Sequence, residues 1–91
     1  MPITTVDLRK AVEIARGYGA TKLILFGSYL DNPETARDLD LAVDGVQGWK
    51  LYELAARIER ALHVPLDLVP LDKETPLTRR IKAHGEVLYE Q

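Results

Sequence analysis

Apolar residues recur along this chain with two different periods, one helical and one extended, and the switches between them mark out seven elements. From Thr4 or Thr5 to Tyr18, the residues Leu8, Ala11, Val12, Ala15 and Tyr18 return at steps of one, three or four. Asp7 falls in the first turn and Gly19 just beyond the last. A hydroxyl cap, an early acid and a glycine stop bound a first helix. Lys22 to Phe26, KLILF, is an apolar run ended by Gly27 and too short for a helix, so it reads as a buried strand. Asp31, Asn32 and Pro33 interrupt any long element between Ser28 and Arg37, which leaves at most one helical turn and then loop. Asp38 to Asp44 then alternates as D-L-D-L-A-V-D, a strand whose two faces differ in chemistry.

Gly45 and Gly48 bracket a turn before a long helix from about Trp49 to His63, whose stripe is Leu51, Ala55, Ile58 and Leu62. Val64 to Leu71, VPLDLVPL, is apolar except for Asp67. Pro65 and Pro70 near its ends suit a strand at the margin of a sheet. Asp72 is placed to cap the next helix. That helix runs from Pro76 through Arg79, Arg80 and Ile81 to His84, Gly85 stops it, and EVLYE from Glu86 to Glu90 is a last short strand. The order α-β-β-α-β-α-β is not a strict alternation. It predicts an α+β fold, a mixed sheet of about four strands with helices packed mainly on one face.

Ninety-one residues are expected to form one domain spanning 1–91. With 46% hydrophobic and 29% charged residues, the composition supports a packed core rather than disorder. The absence of cysteine excludes a disulfide scaffold, a thiol enzyme and a thiolate metal site, so any metal must sit on oxygen or histidine. Twelve basic against fourteen acidic residues give a net charge of −2, which argues against direct nucleic-acid binding as the main task. No run approaches the roughly 20 apolar residues of a membrane span. MPITTVDLRK has no apolar signal core, so a cytoplasmic location is expected.

Three carboxylates and one turn carry the candidate chemistry. Asp38 and Asp40 are two apart in a strand, on one face and roughly 6–7 Å apart at the backbone, a spacing suited to a shared metal. Leu39 and Leu41 take the other face, and the same alternation also fits an ordinary half-solvated strand. Asp67 lies inside an apolar strand, where an unpartnered carboxylate costs several kcal/mol to bury, so it is expected to need a cation, either an arginine or a metal. If that strand lies beside the first two aspartates, three carboxylates converge, and Mg²⁺ suits such oxygen ligands and bridges to phosphates. Gly27 and Ser28 follow a strand directly. Glycine lets a phosphate approach the backbone, while the amides and the Ser28 hydroxyl can donate to its oxygens.

His63 and His84 fall near helix C-termini and are assigned structural roles. Trp49, Tyr52 and Ala56 form a second stripe on the long helix, expected to pack against the sheet edge, with a partner surface as the alternative. Arg79, Arg80 and Lys82 read as a solvated basic face.

GSYLDNPETARDLDLAV followed by LDLV resembles the polymerase-beta-type nucleotidyltransferase superfamily, with its Gly-Ser, spacer, Asp-x-Asp and later third Asp. The branch it looks most like is the minimal nucleotidyltransferases, similar to the antitoxin subunit paired with HEPN toxins, and HGEVLYE also resembles the ending of those proteins. The resemblance implies a nucleotidyltransferase-like fold and Mg²⁺-dependent transfer of AMP from ATP to a hydroxyl, a tyrosine on a HEPN toxin. By position, Gly27 and Ser28 would hold the triphosphate. Asp38 and Asp40 would ligate the metals, two ions when nucleotide is bound, and Asp67 would complete the site and help take the hydroxyl proton. Two positions differ from many relatives. After Gly-Ser stand Tyr29, Leu30, Asp31 and Asn32, where a small and a basic residue are frequent, and Arg37 precedes Asp38 where serine is frequent. Asp31 brings negative charge towards a polyanion, and Arg37 is its one nearby offset, able to swing to the phosphates. The competing expectations are an idle antitoxin that neutralises its partner by complex formation and a nucleotide-binding regulatory subunit. A chain this short leaves little protein to enclose a nucleotide, so further walls are expected from another chain, in a homo- or hetero-oligomer.

Overall fold

The computed structural model describes residues 3–91; the first two residues of the amino-terminal segment MPITTVDLRK lie outside them. The chain runs α1 (Thr5–Gly17), β1 (Lys22–Phe26), α2 (Ser28–Asp31), β2 (Leu39–Asp44), α3 (Trp49–Leu62), β3 (Leu66–Pro70), α4 (Pro76–His84) and β4 (Glu86–Glu90). Thr4 caps α1 through a reciprocal box: its hydroxyl accepts from the Asp7 amide at 3.2 Å, while the Asp7 carboxylate accepts from the Thr4 amide at 2.9 Å. The single turn allowed between Ser28 and Arg37 is α2. The second strand starts at Leu39, one residue later than the alternation suggests, and Asp38 stands just before it.

The strands form one four-stranded mixed sheet in the order β3-β2-β1-β4. β1 is antiparallel to both β2 and β4, whereas β2 and β3 are parallel and joined through α3, as a parallel pair requires a crossover. β3 is therefore an edge strand, which is where its prolines are tolerated. Its register on β2 is pinned at both ends. The Leu39 amide donates to the Pro65 carbonyl at 2.9 Å, and the Leu71 amide donates to the Val43 carbonyl at 2.9 Å.

Alternation along the strands divides the apolar residues between two clusters. Leu23 and Leu25 of β1 and Leu39, Leu41 and Val43 of β2 pack with Ala11 and Ala15 of α1 and Leu54, Ile58 and Leu62 of α3 in the main core. Ile24 and Ala42 face the other way and meet Leu71 and Ile81 under α4. Two helices thus cover one face fully, and the shorter α4 covers part of the other.

Three local expectations change. On α3 the buried stripe runs through Leu54 rather than Ala55, because Leu54 is the one of the two that faces the main core. Trp49 and Tyr52 do not pack against the sheet edge; they are 69% and 78% exposed. α4 is capped by Thr75, whose hydroxyl accepts from the Thr78 amide at 3.1 Å with Pro76 opening the helix, so Asp72 has no capping role.

Candidate active site

β1 ends at Phe26, paired across the ladder with Asp40 of β2, and Asp40 is paired in turn with Asp67 of β3. Register partners project from the same face, about 4.8 Å apart between neighbouring strands. Asp38 precedes Asp40 by two and adds a third carboxylate at the same end. All three stand on the sheet face that carries α4, beyond the stretch that α4 covers, while Leu39 and Leu41 point into the main core.

Gly27 closes this end. Its φ is +80°, a conformation that side chains rarely adopt, and the place a Cβ would take is filled by the Asp40 carboxylate, whose Cγ would lie 2.8 Å away. The turn therefore needs glycine twice, once for backbone conformation and once for the close approach of Asp40. The next backbone amide, of Ser28, lies beside the Asp40 carboxylate and favours its charged form.

Asp40 is half-buried, and its pKa is raised from the ordinary carboxylate value. Burial is the main cause, the neighbouring Asp67 charge the next, and Asp38 adds to it, opposed by the Ser28 amide. This is the electrostatic signature of a site that gathers like charges.

Asp67 itself is exposed, which corrects the expectation that it sits buried in an apolar strand. The reason is topological: β3 lies at the edge, and Asp67 stands beyond the stretch of that face where Val69 packs with Leu71 and Ile81 under α4. Asp67 bears little desolvation cost. Its relation to a cation rests on its place beside Asp40, and among the described residues the ion pairs are Arg16–Glu13 and Lys22–Glu90, neither involving Asp67. No three acidic or histidine side chains among the described residues are drawn together as a metal-binding group in these rotamers. Backbone register is what makes Asp40 and Asp67 neighbours, and Asp38 lies close enough to add its charge at Asp40.

The walls of the cavity that Arg37 lines do not include Gly27 or Ser28. Arg37 lines that cavity with Glu34, His63 and Pro65, at the N-terminal approach to β2 and β3. A second cavity, about 300 Å³, lies on the other side of Gly27, between α2, α4 and the end of β1. Phe26, Gly27, Asp31, Leu77, Arg80 and His84 contribute to its walls. Taken from the sequence, Arg80 is a solvated cation and His84 a structural histidine, so neither stands out as a site residue. The signal that could single them out is their shared helical face with Leu77 and Ile81, but only the fold shows that this face lies over Gly27.

A Gly-Ser turn is thus pressed against the Asp-x-Asp strand, with a third aspartate on the parallel neighbour. The family model for polymerase beta nucleotidyltransferases matches residues 9–91, and the chain belongs to that family. It is similar to several solved MNT antitoxins. One is a toxin–antitoxin complex with AMP-PNP, at 26% identity and a TM-score of 0.79, covering 92% of this chain and 73% of that one. A second is the MNT antitoxin in complex with the tri-AMPylated HEPN toxin of Shewanella oneidensis, at 26% identity and a TM-score of 0.77, covering 94% and 71%. A third is a Y104A mutant of an MntA toxin–antitoxin complex, at 27% identity and a TM-score of 0.78, covering 91% and 72%. No curated protein matches the chain by sequence.

Proposed function

We propose that this protein transfers AMP from Mg²⁺-bound ATP to a tyrosine hydroxyl of a HEPN-type partner protein, and so acts as that partner's antitoxin. The observation that carries the reading is the register setting Asp40 beside Asp67, with Gly27 closed against Asp40. The similarity to antitoxins solved with AMP-PNP and with an AMPylated HEPN toxin supports both nucleotide and partner.

The donor set fits Mg²⁺: the three side chains are carboxylates, and a cation would offset both the burial that chiefly raises the Asp40 pKa and the repulsion from Asp67 and Asp38 that adds to it. Asp38, Asp40 and Asp67 would hold it, as two ions when nucleotide is bound, and the metal would supply charge stabilisation to the attacking and leaving oxygens. Gly27 and Ser28 would hold the triphosphate. The acceptor oxygen bonds to the α-phosphorus as the bond from that phosphorus to the α,β-bridging oxygen breaks. Pyrophosphate departs with the electron pair, and the hydroxyl proton passes to Asp67.

With its partner and Mg²⁺-ATP, the purified protein is expected to release pyrophosphate and label the partner, and Asp38→Asn or Asp40→Asn to abolish both. Asn keeps the shape and removes the charge. Labelling that persists undiminished in the double Asn variant overturns the mechanism.

A second reading, neutralisation by occupancy with the site idle, is favoured by the exposure of Trp49 and Tyr52, since aromatic residues are enriched at interface hot spots. It requires the Asp38/Asp40 double variant to protect cells that express the partner. Loss of protection with binding intact removes it.

A further inference from the structure

We propose that the cavity between α2 and α4 is the pocket for the leaving pyrophosphate, and that Arg80 is the side chain that holds it. The inference rests on the adenylyl-transfer reading and adds to it a direction and a residue. The sheet order supplies the direction. Asp67 stands on the edge strand β3, Asp40 on β2, Gly27 at the end of β1, and the α4 cavity beyond Gly27, on the side away from Asp67. In an in-line displacement the entering and departing oxygens lie on opposite sides of the phosphorus. With the phosphate chain resting on Gly27 and Ser28, the departing group extends past β1, and the acceptor enters from the open edge at Asp67. The space just past Gly27 is the cavity, which shares Gly27 as a wall.

Charge supports the same assignment. The turn after Gly27 reads Ser-Tyr-Leu-Asp and contributes no cation, and its Asp31 lines the cavity with an opposing charge. Arg37 lines a different cavity. A pyrophosphate that gains negative charge as its bond to the α-phosphorus breaks needs a counter-charge at this end, and Arg80 and His84 are the basic residues lining the cavity. Neither belongs to an ion pair among the described residues. A guanidinium offers donors in a planar fork that matches phosphate oxygens.

Carbon walls with an arginine would also suit a nucleobase, and the test separates the two. Binding of Mg²⁺-pyrophosphate, Mg²⁺-ATP and AMP is measured by calorimetry for the wild type, Arg80→Gln, Arg80→Lys, Asp31→Asn and the same-charge control Arg79→Gln. Arg80→Gln is expected to weaken pyrophosphate and ATP about tenfold or more while AMP changes less than about twofold. Arg80→Lys recovers part of the loss, Asp31→Asn tightens pyrophosphate, and Arg79→Gln leaves all three ligands unchanged. Loss of AMP and ATP affinity with pyrophosphate unaffected makes the cavity a nucleobase pocket and overturns the assignment, as does insensitivity of all three ligands to Arg80. Wild type that binds none of the ligands, either alone or with its partner present, overturns the transfer reading itself. Wild type that binds them without regard to Arg80 overturns the leaving-group assignment alone.

Discussion

Gly27 and Asp40 occupy one another's space, and that pairing sets the chemistry of the site. A methyl group at position 27 would meet both the unfavourable φ and the Asp40 carboxylate, so Gly27→Ala is expected to cost about 1–3 kcal/mol in urea unfolding and to displace Asp40. Asp40 also makes stability depend on pH. Because its folded-state pKa is raised, the folded chain binds more protons than the unfolded chain between the ordinary carboxylate value and the raised one. Stability therefore falls as pH rises through that window, and the loss is complete above it. Asp40→Asn removes the term, so the variant should be more stable than wild type at neutral pH, and the difference should vanish in acid. Urea midpoints measured from acid to neutral pH check this sign. The apolar neighbours of Asp67 in sequence imply a buried carboxylate. Those neighbours do pack, but Asp67 is the exposed residue of this edge strand, and nothing in the local sequence reports how far along that face another element reaches.

The two helices that matter most for the site differ in what holds them. α3 is held by its apolar stripe: Leu54→Ala should cost about 2–5 kcal/mol, whereas Tyr52→Ser on the exposed side should change stability by less than about 0.5 kcal/mol. Thermal unfolding of the pair distinguishes the core stripe from the expected but unburied second one. Ala55 and Leu54 are adjacent, and either completes a three-or-four pattern on paper; the tertiary contact with the sheet decides between them. α4 depends on its ends. Thr75 and Thr78 bond each other reciprocally, and Thr78 is additionally tied to the Lys73 carbonyl at 2.9 Å. Thr75→Ala should cost about 1 kcal/mol. Because α4 carries Arg80 over Gly27, the same change should weaken pyrophosphate binding with no residue of the cavity altered. Element ends are the more legible part of both helices, since caps, Pro76 and Gly85 act through bonds to immediate neighbours.

Across the whole molecule, the site is a line that crosses the sheet from an open edge to a helix-walled cavity, with the carboxylates between. A ligand bound along that line stabilises the folded state by mass action. At Mg²⁺-ATP about 100-fold above its dissociation constant, the gain is about 2.7 kcal/mol. For a chain of this size that is a rise in melting temperature of roughly 10 °C or more. The rise should be absent in the Asp38→Asn, Asp40→Asn double variant, and a scanning thermal measurement with and without nucleotide decides it. Among the described residues no helix is long and apolar enough to cross a membrane.

The seven elements expected from periodicity are all present, with α2 as the helical turn allowed after Gly27. Helix and strand periods, caps and turn residues act over a few positions, so the chain's local order carries them: KLILF and EVLYE are strands to the residue. The Gly-Ser and Asp-x-Asp motifs are legible for the same reason, because each is a short-range requirement. Which residues become neighbours across elements is not local. The parallel pairing that puts Asp67 beside Asp40, the exposure of that edge, and the placing of Arg80 over Gly27 while Arg37 goes elsewhere all arise from how the apolar faces of separate elements pack together. Those choices are made by burial summed over the whole sheet, and no window of sequence contains that sum.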